Sequence, residues 1–126
     1  MRYVSTRGQT PPMGFADAVV TGLAPDGGLL LPESIPDISG RLPELAGLDY
    51  VGLAREIIAL FADDIPRPVL DELIGKAYAT FDHADVVPLV PVGDLTVMEL
   101  FHGPTLAFKD VALQLLGRLF EYVLAE

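Results

Sequence analysis

The run from Val111 to Ala125 constrains the fold more than any other segment of this chain. Its apolar residues recur at helical spacing and cover most of the circumference of the predicted helix; they are Leu113, Leu115, Leu116, Leu119, Phe120 and Val123. A helix that is apolar on more than one face needs cover on more than one side. We therefore expect several packing partners for this helix, some of them outside the 126 residues.

A single lysine stands directly before this helix. Lys109 lies in the segment FHGPTLAFKD, residues 101–110, and follows Leu106, Ala107 and Phe108. These apolar neighbours predict a partly desolvated lysine, and a desolvated amine is a nucleophile that forms a Schiff base with a carbonyl. The positive end of the helix dipole favours a bound phosphate nearby. Without such surroundings a lysine is usually a solvated surface charge.

The amino-terminal part of the chain predicts two short strands joined through a helix. Residues 3–5 and 29–31 are β-prone runs that we expect to pair. Residues 15–23 place apolar side chains on one helical face, and Pro25 is the expected stop. Residues 32–48 carry several prolines and glycines and predict an irregular connection.

Two further helices and a hairpin follow. Asp49 is the expected N-cap of a helix over residues 50–62, and a second helix over 69–78 is expected to pack against it. Residues 89–92 and 95–100 predict a hairpin with a two-residue turn.

A change of pattern predicts a domain boundary. Residues 80–85 are polar, and the helical periodicity before them gives way to strand-like runs after them. We therefore expect one small domain over residues 1–79 and the beginning of a second over 80–126. The last five residues, YVLAE, end without a helix stop signal, which predicts that the chain is the front part of a larger protein.

Three segments resemble the threonine synthase family, whose members are pyridoxal-phosphate enzymes of fold type II. Residues 101–110 closely resemble the family's cofactor-lysine segment, in which the lysine matching Lys109 bonds the cofactor. Residues 3–8 and 26–33 resemble its opening hairpin, although Leu30 stands where an aromatic residue is common. The resemblance implies an α/β fold, with a small amino-terminal α+β domain followed by a truncated catalytic domain.

The resemblance also implies an activity and a cofactor. The family's reaction is a lyase reaction on a phosphate ester that converts O-phospho-L-homoserine and water to L-threonine and phosphate, the last step of threonine biosynthesis. Lys109 would bond pyridoxal 5'-phosphate and then shuttle protons as base and acid. In fold type II enzymes a later glycine-rich loop cradles the cofactor phosphate, and this chain has none. We therefore expect little or no activity from the chain alone.

Four residues near Lys109 have two possible roles each. Thr105 donates to the cofactor or caps the helix, and Phe108 packs near the cofactor ring or belongs to the core. His102 contacts substrate or hydrogen-bonds a loop. Asp110 orients Lys109 or interacts with the helix dipole, and we favour the structural role.

A second polar cluster follows the first strand. Ser5, Thr6 and Arg7 combine hydroxyls with a guanidinium, which suits a substrate phosphate, although a solvated strand end has the same composition. His83 lies among Asp82 and Asp85, but no second histidine or regular spacing supports a metal site. We expect no metal.

Composition excludes several classes of partner. The net charge of −10 repels nucleic acids and anionic lipid surfaces. The chain has no cysteine for disulfides and no apolar run long enough for a signal peptide or a membrane span. We expect a cytoplasmic protein with a small-molecule substrate.

Two alternatives to a threonine synthase stay open. One is a threonine-synthase-like phospholyase, which shares the lysine segment but releases a keto acid. The other is a non-catalytic remnant or interaction module that self-associates through its apolar last helix.

Overall fold

The structure, a computed structural model, describes residues 1–125, and Glu126, the end of the predicted second domain, lies outside the described residues. The described helices and strands are, in chain order, β1 (Tyr3–Ser5), α1 (Phe15–Thr21), β2 (Leu30–Pro32), α2 (Leu42–Leu45), α3 (Tyr50–Ile58), α4 (Arg67–Tyr78), β3 (Leu89–Val92), β4 (Leu95–Met98) and α5 (Asp110–Ala125). Over residues 1–125 the fold is a mixture of helices and two small antiparallel sheets.

The predicted amino-terminal strand pair is confirmed. β1 and β2 are antiparallel, with Val4 opposite Leu31. α1 lies between them in the sequence but ends earlier than predicted, because Gly22 adopts a left-handed conformation with φ of 66° and terminates the helix before Pro25 is reached. Leu23, expected on the helix, instead forms a bridge with Leu29.

The two central helices pack against each other as predicted. Asp49 caps α3, since its Oδ1 accepts a hydrogen bond from the Gly52 amide at 2.7 Å. The rings of Tyr50 and Tyr78 meet edge to face with centroids 5.0 Å apart, joining α3 to α4. α3 is shorter than predicted and ends at Ile58. The connection over 32–48 is less irregular than predicted, because it contains a 3₁₀ turn and α2.

One core crosses the predicted domain boundary. Its buried residues come from α4 and the turn before it, from the loop after it, and from α5; they are Ala62, Ile65, Leu70, Ile74, Ala77, Tyr78, Val86, Leu115 and Leu119. α5 packs against both α1 and α4. The division at residue 79 therefore separates two segments that share a core, and it stays a prediction.

Much apolar surface is exposed on the second half of the chain. The predicted hairpin is present, with Gly93 in its turn at a φ of 59°. All four residues of β4 are exposed, and Leu95 is 71% exposed. α5 buries Leu115 and Leu119 but leaves Leu113 and Leu124 exposed. Residues 1–125 thus cover one side of α5, and its other faces have no cover from this part of the chain. No helix in that range is long and apolar enough to cross a membrane.

Candidate functional site

Lys109 directly precedes α5, as the sequence predicts, but its surroundings differ from the expectation. The side chain of Lys109 is exposed, and so are those of Leu106 at 69% and Phe108 at 63%. The prediction of partial desolvation is therefore wrong for this chain. Apolar neighbours in sequence bury a lysine only when another element packs over them, and no described element covers this segment.

An open apolar groove lies beside Lys109. It has a volume of about 360 Å³ and is lined by Leu100 after β4, by Phe108 and Lys109, and by the first turn of α5. The exposed face of Phe108 contributes to this lining. The groove places an accessible amine next to an apolar surface large enough for one face of a planar ring.

The segment before Lys109 is held by a buried carboxylate. Asp110 is 2% exposed, and its Oδ2 accepts hydrogen bonds from the amide of Thr105 at 2.7 Å and from the hydroxyl of Thr105 at 2.8 Å. Its Oδ1 accepts a hydrogen bond from Nε2 of Gln114 at 3.1 Å. We call residues 103–109 the lysine loop. Asp110 closes this loop onto the first two turns of α5.

The lysine loop has two unusual backbone positions. A Cβ added to Gly103 would lie 2.3 Å from the Cβ of Asp110, so only glycine allows this approach. Leu106 has a φ of 61°, a left-handed conformation that costs a non-glycine residue about 1–3 kcal/mol and is concentrated at functional sites. The Leu106 amide donates to the Gly103 carbonyl at 3.0 Å and closes the turn.

The hydrogen bonds of Asp110 outweigh its burial. Burial raises the pKa of the carboxyl, but the hydrogen bonds from Thr105 and Gln114 favour the ionised form and leave the pKa below its usual range. Asp110 is therefore a carboxylate at neutral pH. The hydroxyl of Thr105, predicted to bind the cofactor, donates to Asp110 in this structure.

His102 ties the segment to the loop after α4. Its Nε2 lies 2.7 Å from a Glu99 carboxylate oxygen, and its Nδ1 lies 2.8 Å from one of Asp82. The hydrogen bond to Glu99 is the main effect that raises the pKa of His102, Asp82 adds to it, and partial burial opposes both. The loop-bonding role predicted for His102 is thus present, and the substrate contact stays a prediction.

Tyr78 anchors α5 to α4 through a contact that the sequence does not predict. The side chain is buried, and its hydroxyl donates a hydrogen bond to the carbonyl of Val111 at 3.0 Å. Burial raises the pKa of this phenol well above its usual value. The helix that begins after Lys109 is therefore fixed to the core in its first turn. Tyr78 is the last residue of the predicted helix, and helical periodicity does not reveal its partner 33 positions away.

The polar cluster at residues 5–7 surrounds a carboxylate of its own. Asp26 accepts hydrogen bonds from the Ser5 hydroxyl at 2.7 Å and from the amides of Gln9 and Gly28 at 3.0 and 2.9 Å. These bonds, that of Ser5 foremost, lower the pKa of Asp26 far below its usual range. We call residues 5–9 with 26–28 the amino-terminal turn. The Asp-Gly-Gly sequence predicts the turn, but not that it uses Ser5.

The other predicted residues of this cluster also have partners. The Thr6 hydroxyl accepts from the Leu29 amide at 3.0 Å, and Nη1 of Arg7 donates to the Asp26 carbonyl at 2.9 Å. No hydrogen bond or ion pair found within residues 1–125 joins this turn to residues 101–110. Of the predicted residues near Lys109, only Phe108 lines the groove with it, while His102 and Thr105 bond other side chains and Ser5, Thr6 and Arg7 lie in another segment. Substrate binding by these three stays a prediction.

His83 and its acidic neighbours form a local turn. The Nδ1 of His83 accepts a hydrogen bond from the Asp85 amide at 3.1 Å. Over the described range, no group of three or more His, Cys, Asp or Glu side chains is arranged to hold a metal ion.

Comparisons with known proteins extend these observations. Residues 2–78 match the family model for the threonine synthase N terminus. All of this chain aligns with threonine synthase from Pseudomonas aeruginosa at 48% identity, and the match spans 28% of that protein. Human threonine synthase-like 2 aligns with 98% of this chain at 42% identity, and the match spans 26% of that protein. The PLP-bound threonine synthase from Brucella melitensis superposes on 99% of the chain with a TM-score of 0.95 and 48% identity, and the match covers 28% of that structure.

Proposed function

The chain belongs to the threonine synthase family, and we propose that it corresponds to the amino-terminal part of a threonine synthase that uses pyridoxal 5'-phosphate. The proposed reaction converts O-phospho-L-homoserine and water to L-threonine and phosphate. The observation that carries the proposal is the placement of Lys109, an exposed amine beside an apolar groove and directly before α5. It occurs in a chain that closely matches the PLP-bound Brucella structure.

The residues of this chain fit the reactive end of the cofactor. Pyridoxal phosphate presents an aldehyde on a planar ring, and Lys109 offers an accessible primary amine next to the groove. Phe108 is exposed in the groove wall, where it can contact the ring. The sequence has no glycine-rich loop leading into a helix that would cradle the phosphate. Lys109 and Phe108, which line the groove, are the residues that we assign to the cofactor, whereas the Thr105 hydroxyl donates to Asp110.

Lys109 also performs the proton transfers in this proposal. When bound, the cofactor supplies an electron sink that stabilises a carbanion on the attached amino acid. The amine of Lys109 takes a proton from one carbon of the substrate and returns a proton to another, which requires an amine held in a fixed position. The fixed start of α5 and the lysine loop provide that position.

The substrate phosphate needs cationic or hydrogen-bonding groups. Arg7 is exposed and uses Nη1 for its bond to Asp26, so other donors of its guanidinium remain for an anion. Among the predicted substrate residues, Arg7 is therefore better suited than Ser5, Thr6 or His102, whose side chains are engaged in the hydrogen bonds described above. We further propose that the chain alone has little or no activity, because its groove is open and lacks a phosphate cradle, and that the complete enzyme is cytoplasmic.

A chimera tests the proposed function. The chain replaces the matching 28% of the Brucella melitensis threonine synthase, and phosphate release and threonine formation from O-phospho-L-homoserine are measured. We expect activity in the chimera and a loss of about 10²–10⁴-fold in Lys109→Ala. Lys76→Ala is the matched control, since Lys76 is the only other lysine of the chain and pairs with Glu72 on α4. An active Lys109→Ala chimera would overturn the assignment.

A phospholyase is the second candidate, and the 42% identity to human threonine synthase-like 2 favours keeping it. Such an enzyme eliminates phosphate from the same class of substrate but lets the product hydrolyse to a keto acid. Product analysis of the complete protein separates the two, because threonine identifies the synthase and a keto acid identifies the phospholyase.

A further inference from the structure

We propose that Asp110 is a positioning residue for Lys109: its carboxylate fixes the conformation of the lysine loop and so sets the direction in which the Lys109 side chain leaves the start of α5. This inference rests on the role of Lys109 given under the proposed function. Asp110 itself need not touch the cofactor or the substrate.

The direction of the hydrogen bonds distinguishes Asp110 from a helix cap. A capping carboxylate accepts from amides of the first helical turn that follows it. Oδ2 of Asp110 instead accepts twice from Thr105, five residues earlier in the chain, while Oδ1 accepts from Gln114, one turn later. The carboxylate therefore joins the loop to the helix instead of satisfying the helix end.

The loop has little else to hold it. The side chains of residues 104–109 are exposed, so packing contributes little to their conformation. Leu106 nevertheless adopts its left-handed conformation, and Gly103 approaches Asp110 as closely as only glycine allows. Backbone hydrogen bonds close the turns of the loop, from the Leu106 amide to the Gly103 carbonyl and from the Asp110 amide to the Ala107 carbonyl. The bonds from Thr105 to Asp110 are the side-chain contacts that support this costly conformation.

Asp110 does not act through a direct charge pair with its neighbour. No ion pair found within the described residues joins Asp110 to Lys109, and the carboxylate is buried whereas the amine is exposed. A buried carboxylate is costly unless its oxygens are hydrogen-bonded, and here both are. The buried charge is thus used for the loop geometry.

The test compares the two lysines of the chain. Pyridoxal phosphate is added to the 126-residue chain, the adduct is reduced with borohydride at short times, and the ratio of label on Lys109 to label on Lys76 is obtained by peptide mapping. Amide hydrogen exchange at Thr105 reports the loop independently of the cofactor. We expect the unsubstituted chain to label Lys109 preferentially.

Three variants and a control separate positioning from folding. In Asp110→Asn the ratio should fall at least about fivefold and exchange at Thr105 should accelerate, because charge-assisted hydrogen bonds are lost. Thr105→Val, which keeps the carboxylate, should also lower the ratio, and Thr105→Ser should restore it. Asp94→Asn, an exposed carboxylate in the hairpin turn, is the charge-matched control and should change neither readout. Should Asp110→Asn fail to fold, the two Thr105 variants decide.

The failing outcomes differ from those of the proposed function. A ratio that is unchanged in Asp110→Asn or in Thr105→Val overturns the positioning role, even if Thr105 exchanges faster, and leaves the chimera result intact. Equal labelling of both lysines in the unsubstituted chain also overturns it. An inactive chimera together with a ratio that responds to Asp110 would instead count against the proposed reaction.

Discussion

The amino-terminal turn and the lysine loop are each built around a hydrogen-bonded carboxylate, but the two turns have different roles. In each, one carboxylate gathers three hydrogen bonds and a glycine allows close approach of the chain; the carboxylates are Asp26 and Asp110. In the turn, the bonds close a connection between β1 and β2 and bury Ser5. In the lysine loop, the carboxylate is buried and the neighbouring side chains are exposed beside a groove.

The difference shows that a turn built around a carboxylate can either join two strands of the fold or hold an exposed side chain in place. In the amino-terminal turn one bonded partner, Ser5, belongs to a strand, and the turn completes the fold. In the lysine loop a buried carboxylate supports the backbone, and the side chains of residues 104–109 stay exposed. Lys109 is displayed in this way, with its helix anchored by Tyr78.

Alanine at the two close-approach glycines gives the largest expected effects. At Gly103 the new Cβ would meet the Cβ of Asp110 at 2.3 Å, next to the backbone, so Gly103→Ala should lower the free energy of unfolding by about 1–3 kcal/mol. At Gly28 the new Cβ would meet Oγ of Ser5 at 2.1 Å and the Arg7 amide nitrogen at 3.0 Å. Ser5 can move away only by giving up its hydrogen bond to Asp26. Gly28→Ala should still cost less than Gly103→Ala, because its nearest backbone atom is farther away than the Cβ of Asp110 is from Gly103. Urea unfolding measures both.

Gly117→Ala is the control for this pair. Gly117 lies inside α5 with open space at its Cβ position, so alanine should raise the free energy of unfolding by about 0.5–1 kcal/mol. An equal or larger loss in Gly28→Ala than in Gly103→Ala would contradict the distinction between the two regions.

Two buried tyrosine hydroxyls allow a matched comparison of how each region is anchored. Tyr3 donates to the Phe61 carbonyl at 3.1 Å, and Tyr78 donates to the Val111 carbonyl at 3.0 Å. Tyr3→Phe and Tyr78→Phe should each cost about 0.5–1.5 kcal/mol in the free energy of unfolding. Only Tyr78→Phe should also speed amide exchange in the first turn of α5. Faster exchange there in Tyr3→Phe would show that the two anchors are not separate.

The histidine contacts predict that stability falls as the pH rises and that this fall depends on His102. His102 has a raised pKa in the folded state, so the stability it contributes is complete below its ordinary pKa of about 6.5 and is lost as pH rises through the folded value. The urea midpoint should therefore decline above about pH 6.5. His102→Gln should reduce this decline, whereas His83→Gln should keep it. A decline unaffected by His102→Gln would assign it to another group.

The exposed hairpin should contribute least to stability. Leu95 is 71% exposed, so Leu95→Ser should change the free energy of unfolding by less than about 0.5 kcal/mol. If the chain self-associates through its apolar surface, the same variant should weaken association in sedimentation experiments, and Leu124→Ser should do so if α5 takes part. A large loss of stability in Leu95→Ser would show that the hairpin packs more tightly than its exposure indicates.

Local sequence patterns predict where the helices and strands lie better than they predict which residues those elements bury or expose. The strand pair, the cap at Asp49, the hairpin turn and α5 follow from neighbouring residues, and all are present. The resemblance of residues 101–110 to the family segment predicted the family, which the comparisons confirm.

What the sequence could not predict depends on distant contacts or on backbone conformation. The exposure of Lys109 follows from the absence of a covering element in the described part of the chain, which no local run of apolar residues reveals. Leu106 has a left-handed backbone conformation that leucine rarely adopts, so its residue type does not predict it. The hydrogen bond from Tyr78 to Val111 joins two helices that are far apart in the sequence. For Asp110 the sequence favours a structural role at the helix dipole, and it does not predict the hydrogen bonds with Thr105 and Gln114 that underlie the proposed positioning of Lys109.

The identity of the lysine that bonds the cofactor tests the central claim most directly. The chimera with the Brucella remainder is loaded with pyridoxal phosphate, reduced with borohydride and mapped by peptide mass spectrometry. The account predicts close to one label per chain on Lys109 and none on Lys76, with activity abolished by the reduction. A catalytically active chimera whose label lies on another lysine would contradict it.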